Sequence, residues 1–240
     1  MKIAVLADIH GNLEALEATL IAVARDGVER FVVAGDVVGY GPDPVACICR
    51  LQEAGAKCVL GNHDEALVDT SRVRELNLLA RESILGSRAM VGEAELDYLR
   101  SFAYRHVECG AVFSHANPVR PEEWQALYLH GQVAWCLERL DWRLGFVGHT
   151  HYPGIYCRID GQVVPLTSSE VAIGRHRYLV NPGSVGQPRD GDWRAAFAVW
   201  DVETERVELR RVEYPVQRAQ AKIRQLGWPD YQAERLGRGE

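Results

Sequence analysis

The sequence lacks the long apolar segments of membrane and secreted proteins. No part of it approaches the ~18 consecutive apolar residues of a membrane span, and the apolar stretch near the start ends at Asp8, too soon for a signal peptide. The six cysteines form no C-x-x-C pair and no dense disulfide framework. We therefore interpret them as buried thiols and predict a cytoplasmic protein without a membrane partner.

An excess of positive charge is absent as well. The chain has 27 Lys and Arg against 33 Asp and Glu, a net charge of −6, whereas proteins that follow a nucleic-acid backbone are usually basic. We therefore do not expect long nucleic acids as partners. Hydrophobic residues make up 47% and charged residues 25%, which excludes a disordered or collagen-like chain. Because no linker or repeat interrupts it, we predict a single domain over residues 1–240.

Apolar runs alternate with helical patterns at the beginning of the chain. Strands are predicted at 2–7, 31–34 and 57–60, with helices at about 13–23 and 45–54 between them. This alternation is typical of right-handed βαβ crossovers and therefore of a sheet with a parallel part. A helical inset that covers one face is predicted next, over about 71–102.

Strands are predicted for most of the remaining chain. We expect them at 111–114, 144–147, 156–159, 162–166, 178–180, 195–200 and 206–212, with a short helix near 132–140. The Asp160-Gly161 pair is a strong hairpin signal. A helix and tail occupy about 215–240, where the helix is predicted over 215–226 and the tail from Trp228 is expected to fray.

Residue types that bind metals follow five of the predicted strands. In chain order, these segments are Asp8-Ile9-His10, Gly35-Asp36, Gly61-Asn62-His63-Asp64, His115 and Gly148-His149-Thr150-His151. In α/β sheets the carboxyl ends of the strands meet at the crevice where ligands bind, so we expect these side chains to come together. In an extended chain, residues two apart point to the same side, which pairs Asp8 with His10 and His149 with His151. The glycines leave room for sharp turns near the site.

These five segments, in this order, resemble those of the calcineurin-like metallophosphoesterases. The similarity spans Asp8 to His151, and Asn181-Pro182-Gly183-Ser184 with Pro188-Arg189 is similar to the small prokaryotic phosphodiesterase branch of that superfamily. The resemblance implies an α/β fold, namely a four-layer α/β/β/α sandwich of two mixed β-sheets flanked by helices, with two metal ions at one edge.

The resemblance also implies a role for each residue. The first metal would be bound by Asp8, His10, Asp36 and His151, and the second by Asp36, Asn62, His115 and His149. His63 would remain unligated, as a general acid or a substrate contact, and Asp64 would orient it. Imidazole, carboxylate and amide ligands suit Mn, Fe, Co, Ni or Zn, and the sequence does not decide among these metals.

The activity that this implies is the hydrolysis of a small or nucleotide-like phosphodiester. Two divalent ions ~3.5 to 4 Å apart can activate a bridging water and stabilise both oxygens of an in-line displacement. Two such ions, with the charges of Asp8, Asp36 and a hydroxide, leave a net charge of about +1, which would attract a phosphate anion.

Several alternatives stay open at this point. The substrate can instead be a phosphomonoester or a dinucleoside polyphosphate, and a nuclease of the same superfamily is a further alternative. A protein of another class, a non-catalytic scaffold that binds protein partners on the same fold, is also compatible with the sequence. Exposed strand edges in the second half would permit a homo-oligomer.

Four further residues are candidates for binding the substrate. The segment Gly39-Tyr40-Gly41-Pro42-Asp43 lacks the phosphate-binding arginine that protein Ser/Thr phosphatases of the superfamily have there. Arg189 can replace it by bidentate contact, unless it forms an ion pair with Asp190 or Asp192. Tyr40 and Trp124, and also Tyr128, are candidates to line the substrate cleft, with packing in the core as the alternative.

Overall fold

The structure, a computed structural model, describes residues 1–240 and contains twelve strands and eight α-helices. The strands are β1 (Lys2–Leu6), β2 (Arg30–Val33), β3 (Lys57–Cys58), β4 (Arg105–Glu108), β5 (Ala111–Ser114), β6 (Leu144–Phe146), β7 (Gly154–Ile159), β8 (Gln162–Leu166), β9 (Glu170–Ala172), β10 (Arg177–Asn181), β11 (Ala195–Asp201) and β12 (Arg206–Val212). The helices are α1 (Leu13–Arg25), α2 (Pro44–Glu53), α3 (Asn62–Val68), α4 (Leu78–Arg88), α5 (Glu93–Arg100), α6 (His130–Arg139), α7 (Val216–Gln225) and α8 (Asp230–Arg238). None of the helices has the length and apolar composition needed to cross a bilayer.

The strands form two mixed sheets of six. The first has the order β3-β2-β1-β11-β12-β9, in which β1, β2 and β3 are parallel. The second has the order β4-β5-β6-β10-β7-β8, in which β5, β6 and β10 are parallel. The predicted class of two mixed sheets flanked by helices is therefore confirmed.

Side-chain alternation along the central strands produces the four layers. In β1, Ile3 and Val5 belong to an apolar cluster that contains residues of both sheets, including Phe113 and Phe146 of the second. Their neighbours along the strand point the other way, into a larger cluster between the first sheet and most of the helices. A third cluster joins the outer face of the second sheet to α6. The sheets thus pack face to face with helices outside both.

The cysteines differ from the prediction in part. All six are free; Cys47, Cys136 and Cys157 are buried, Cys49 and Cys58 are half-buried, and Cys109 is exposed. Cys109 and Gly110, with φ of 51° and 80°, connect β4 to β5. Positive φ at both positions is typical of the tight turn of a hairpin, whose side chains project into solvent.

The tail does not fray as predicted, because α8 packs on the protein. Ala233 and Leu236 of this helix are buried in the cluster between the helices and the first sheet. Asp230 lies in the first turn and Gly239 ends the helix in a left-handed conformation, which are ordinary helix-end signals. The edge strands β4 and β9 were not predicted from the sequence.

We expect Leu236→Ala to lower the free energy of unfolding by about 2 to 3 kcal/mol, because a buried leucine leaves a cavity when it is truncated. Leu236 is only 4% exposed. Urea denaturation followed by circular dichroism measures the effect, with Leu85→Ala on α4 as the control, since Leu85 is 55% exposed. Equal stabilities of the two variants would contradict the docking of α8.

Candidate metal centre

Five of the seven predicted metal ligands have left-handed backbone conformations. Their φ angles lie between 48° and 67°, at Asp8, His10, Asp36, His149 and His151. Each such residue costs about 1 to 3 kcal/mol, so the conformation persists only where the surrounding structure enforces it. The expectation of an extended chain between the paired ligands is therefore wrong, although the side chains do come together.

Hydrogen bonds between the loops hold these conformations. The amide of Asp8 donates to the carbonyl of Gly35 at 3.0 Å, and the amide of His10 donates to the carbonyl of Asp36 at 3.0 Å. The loops that follow β1 and β2 thus remain paired beyond the ends of the strands. The hydroxyl of Ser184 donates to the Asp8 carbonyl at 2.7 Å, which ties the loop after β10 to the same place.

Gly61 lets the loop before α3 pass directly against the side chain of Asp36. A Cβ atom at Gly61 would overlap with Asp36 Oδ1 and with the Asp36 amide nitrogen. The same Oδ1 accepts a 2.9 Å hydrogen bond from the amide of His63. The sequence-based expectation that a glycine leaves room at this position is confirmed.

A first group of ligand types consists of Asp8, His10 and His151, whose candidate ligand atoms all lie within 4.8 Å of one another. Nε2 of His10 is 3.1 Å from Nε2 of His151. Nε2 of His151 is 3.4 Å from Oδ1 of Asp8. All three side chains are buried.

A second group consists of Asp36, His115 and His149. Nε2 of His115 is 3.3 Å from Asp36 Oδ2, 3.0 Å from His149 Nδ1 and 3.0 Å from Asn62 Oδ1. Asp36 Oδ2 is also 3.7 Å from Nε2 of His10. The carboxylate of Asp36 therefore lies between the two groups.

Hydrogen bonds to the protein backbone orient the two histidines of the first group. Nδ1 of His10 donates to the Val38 carbonyl at 3.0 Å, and Nδ1 of His151 donates to the Gln187 carbonyl at 2.6 Å. Because a carbonyl oxygen only accepts hydrogen bonds, Nε2 of each neutral ring carries a lone pair. The two lone pairs face each other across 3.1 Å, and a cation between them would relieve the repulsion.

His115 is oriented in the same way. Its Nδ1 donates to the Ala34 carbonyl at 2.9 Å, so its Nε2 faces the acceptors of the second group. The carbonyls of Ala34, Val38 and Gln187 are functional groups that sequence reasoning missed, since backbone acceptors leave no side-chain signal. Imidazole nitrogens, carboxylates and an amide oxygen together fit divalent transition-metal ions.

Burial disfavours the charged forms of the side chains in this cluster. It raises the pKa of Asp8 to about 8 and lowers the pKa of His149 to about 3. Burial also opposes the charge on His115, but the Asp36 carboxylate outweighs it and raises the pKa of His115 to about 9. The neighbouring histidines overcome the burial of Asp36 and hold its pKa well below the usual range. Cations between these groups would stabilise the buried carboxylates.

His63 lies against the same cluster. Its ring centre is 4.8 Å from that of His10 and 4.8 Å from that of Tyr40. Its Nδ1 is buried without a hydrogen-bond partner, and burial lowers the pKa of the side chain to about 4. His63 also forms a third close group with His10 and Asp36, so its position suits either a substrate contact or a ligand.

Asp64 does not orient the His63 ring, and that prediction is wrong. Its two carboxylate oxygens accept hydrogen bonds from backbone amides at 2.9 to 3.2 Å, and the donors are Asp36, Val37, Val38 and Gly61. Asp64 is fully buried. It therefore holds the backbone of the loop after β2, and through it the position of the Asp36 carboxylate.

A cleft of about 190 Å³ opens over the cluster. Asp36, His63, His149 and His151 line it together with Asn62, Tyr40, Tyr128 and Arg189, and α4 and the turn before it contribute Glu75, Leu76, Asn77 and Ala80. Three of the predicted substrate residues, Tyr40, Tyr128 and Arg189, thus meet the metal-ligand candidates. Arg189 forms no ion pair with Asp190 or Asp192, which bind Arg211 and Arg194 instead.

Trp124 lines an adjoining pocket of about 300 Å³ rather than the cleft itself. Its ring centre is 5.9 Å from that of His115, and its Nε1 donates to Glu65 at 2.9 Å. The two cavities share Asn62, Glu75, Leu76 and His149 in their walls. The predicted aromatic residues therefore line two adjoining cavities.

Comparison with known proteins agrees with this site. Residues 1–205 match the family model described as the calcineurin-like phosphoesterase superfamily domain. The chain is 34% identical to an uncharacterized protein of Methanocaldococcus jannaschii, over 98% of this chain and 96% of that one. It is also 32% identical to the symmetrical bis(5'-nucleosyl)-tetraphosphatase of Bordetella pertussis, over 58% of this chain and 52% of that one. The crystal structure of a metallophosphoesterase from Sphaerobacter thermophilus superposes with a TM-score of 0.89, at 34% identity, with 100% and 99% of the chains covered.

The fold and the clustered ligands define a metal-dependent phosphoesterase, as the resemblance of the five segments implied. The chain belongs to the calcineurin-like phosphoesterase superfamily, whose members depend on a dinuclear metal site. Its substrates are therefore small phosphoesters.

Proposed function

We propose that this phosphoesterase hydrolyses small, nucleotide-like phosphodiesters at a site that holds two divalent transition-metal ions. Asp8, His10, Asp36 and His151 would hold the first ion, and Asp36, Asn62, His115 and His149 the second. Bound at this site, the ions supply Lewis-acid activation of water and of the phosphoryl oxygens. The lone pairs of His10 and His151, which face each other across 3.1 Å, support this assignment.

The pair of adjoining cavities carries the preference for a diester. A phosphomonoester has one organic group, whereas a phosphodiester has two, attached through two different oxygens of the tetrahedral phosphorus. Here a cleft with Tyr40 and Arg189 and a pocket with Trp124 meet at Asn62 and His149. A phosphodiester whose phosphoryl group lies near Asn62 and His149 can thus place one of its organic groups in each cavity.

His63 is proposed to donate a proton to the leaving oxygen. Its side chain lines the cleft, and its Nδ1 has no protein partner. A phosphate anion beside the ring would oppose the effect of burial and favour the protonated form. Tyr40 packs against the ring and limits its movement.

The direct test is to compare bis(p-nitrophenyl) phosphate with p-nitrophenyl phosphate as substrates of the purified protein. Both are measured with added Mn²⁺ and with a chelator. We expect metal-dependent hydrolysis of both, with the higher kcat/KM for the diester. Hydrolysis of the monoester alone, or activity that survives chelation, would overturn the proposal.

A second candidate substrate class is the dinucleoside polyphosphates. It is supported by the 32% identity to the Bordetella pertussis tetraphosphatase over 149 residues. Against it, the pocket at Trp124 is lined by Glu65, Glu75 and Glu123, with Arg72 as the single cationic residue, so a polyphosphate chain would meet negative charge there. Diadenosine tetraphosphate and a dinucleotide, assayed side by side, distinguish the two classes.

We expect Arg189→Ala to lower kcat/KM for bis(p-nitrophenyl) phosphate about 10- to 100-fold, because hydrogen bonds to a charged phosphate would be lost. Most of the change should be a higher KM. The control is Arg194→Ala, which removes a surface arginine paired with Asp192. If the two variants show the same kinetics, Arg189 does not bind the substrate.

A further inference from the structure

We propose that Arg189 and Arg235 together form an anion site beside the metal centre, and that this site binds an additional phosphate on one arm of the substrate. The inference rests on the proposed function, because it describes one arm of that phosphodiester. Arg235 lies on α8, beyond residue 205 where the family match ends. This part of the site would therefore be supplied by the segment that follows the family domain.

Both guanidinium groups lie near the same tyrosine. The Cζ atoms of Arg189 and Arg235 are 5.7 Å and 5.8 Å from the centre of the Tyr40 ring. That ring centre is itself 4.8 Å from the ring centres of His10 and His63. The two positive charges are thus separated from the metal-ligand cluster by no more than one aromatic side chain.

Arg189 has no carboxylate partner, and its buried Nε has no hydrogen-bond partner at all. One of its terminal nitrogens donates to the side-chain oxygen of Gln187 at 2.9 Å, which positions the guanidinium without neutralising it. The acidic residues that follow Arg189 in the chain are bound to other arginines. The positive charge therefore stays available to a ligand in the cleft.

Arg235 forms no ion pair with a side-chain carboxylate, although the charge of Glu240 acts on it from a distance. Its Nε donates to the backbone carbonyl of Glu240 at 2.6 Å, whereas the Glu240 carboxylate lies 3.6 Å from Arg238. Burial, and next to it the charge of Arg189, lower the pKa of Arg235. The two positive charges beside the same ring repel each other, and a phosphate that contacts both guanidinium groups would relieve the repulsion.

The charged residues of the pocket at Trp124, which adjoins the cleft, are mainly negative. The pocket at Trp124 contains Glu65, Glu75 and Glu123 against one arginine. A second phosphate would be repelled there and attracted on the Tyr40 side. The substrate class that fits is a phosphodiester or phosphoanhydride with an uncharged arm in the Trp124 pocket and a phosphate-bearing arm near Arg189 and Arg235.

The test is direct binding of inorganic pyrophosphate and of orthophosphate to the Mn²⁺-loaded full chain, measured by calorimetry. Free Mn²⁺ is kept constant, so that chelation of the metal is the same in all samples. We expect Arg235→Gln to weaken pyrophosphate binding about 10-fold and orthophosphate binding less than about threefold. Arg235→Lys, which keeps the charge, should stay within about threefold of the wild type for both anions.

The control is Arg238→Gln, which changes an exposed arginine of the same helix that pairs with Glu234. It should bind both anions like the wild type. Equal losses for pyrophosphate and orthophosphate in Arg235→Gln, or a loss in Arg235→Lys as large as in Arg235→Gln, would overturn the anion site. Because this test measures binding, it can fail while the diester is hydrolysed, and it can succeed where diester hydrolysis is not found.

Discussion

Replacing Asp36 by asparagine is expected to remove bound metal and to reduce kcat/KM for bis(p-nitrophenyl) phosphate at least about 1,000-fold. The Asp36 carboxylate lies 3.3 Å from His115 Nε2 and 3.7 Å from His10 Nε2, so it is common to both ligand groups. Mutating a hydrogen-bond partner of a metal ligand lowers metal affinity or activity about 10- to 100-fold. Mutating a ligand that two metal ions share should have a larger effect. Asparagine has nearly the same shape, so the fold should be retained.

The measurement is the metal content per chain after gel filtration, combined with the hydrolysis rate. Asp97→Asn is the control, because Asp97 is an exposed residue of α5 whose carboxylate binds Arg100. A variant at position 36 with the wild-type metal content and activity would exclude Asp36 as a shared ligand, and with it the proposed pair of sites.

His63→Ala should keep its metal and lose most of its turnover. The loss of a general acid reduces the rate about 100- to 10,000-fold. The reduction should be larger for a dinucleotide than for bis(p-nitrophenyl) phosphate, because p-nitrophenolate leaves readily without a proton whereas an alkoxide does not. A structural defect would slow both substrates to the same extent.

Metal analysis of the same variant separates the two roles that the position of His63 permits. Unchanged metal content together with the dependence on the leaving group supports the general acid. A loss of metal identifies His63 as a ligand, in the group that it forms with His10 and Asp36. His176→Ala is a matched control, since His176 is a half-buried residue outside the site.

The types and order of the candidate ligands could be predicted because they depend on local patterns. Each group follows a strand that is recognisable from its apolar residues, and parallel strands end at a common edge. Asp8 after β1 and Asp36 after β2 are examples, since the two strands pair in parallel. Ile3 and Val5 belong to one apolar cluster and Ala4 to another. This alternation could be predicted too, because successive side chains of a strand point to opposite faces of the sheet.

The conformation of the ligand loops could not be predicted in this way. Asp36 has a φ of 55°, and Asp64, 28 residues later in the chain, accepts the hydrogen bond of its amide. The local sequence contains no information on which distant side chain binds an amide. The role expected of Asp64 was wrong for the same reason, because the chain order places it next to His63 while the fold turns its carboxylate toward another loop.

By itself, the sequence determined most of the strands and helices, the two-sheet architecture through its resemblance to a family, and the chemical types of the metal ligands. These properties depend on periodicity and on short spacings, which the folded chain preserves. Only the tertiary structure decided that α8 packs on the core, that three backbone carbonyls orient the histidines, and that Arg189 and Arg235 lie near one tyrosine. These contacts join residues far apart in the chain, so their geometry is set by how whole elements pack rather than by any local pattern.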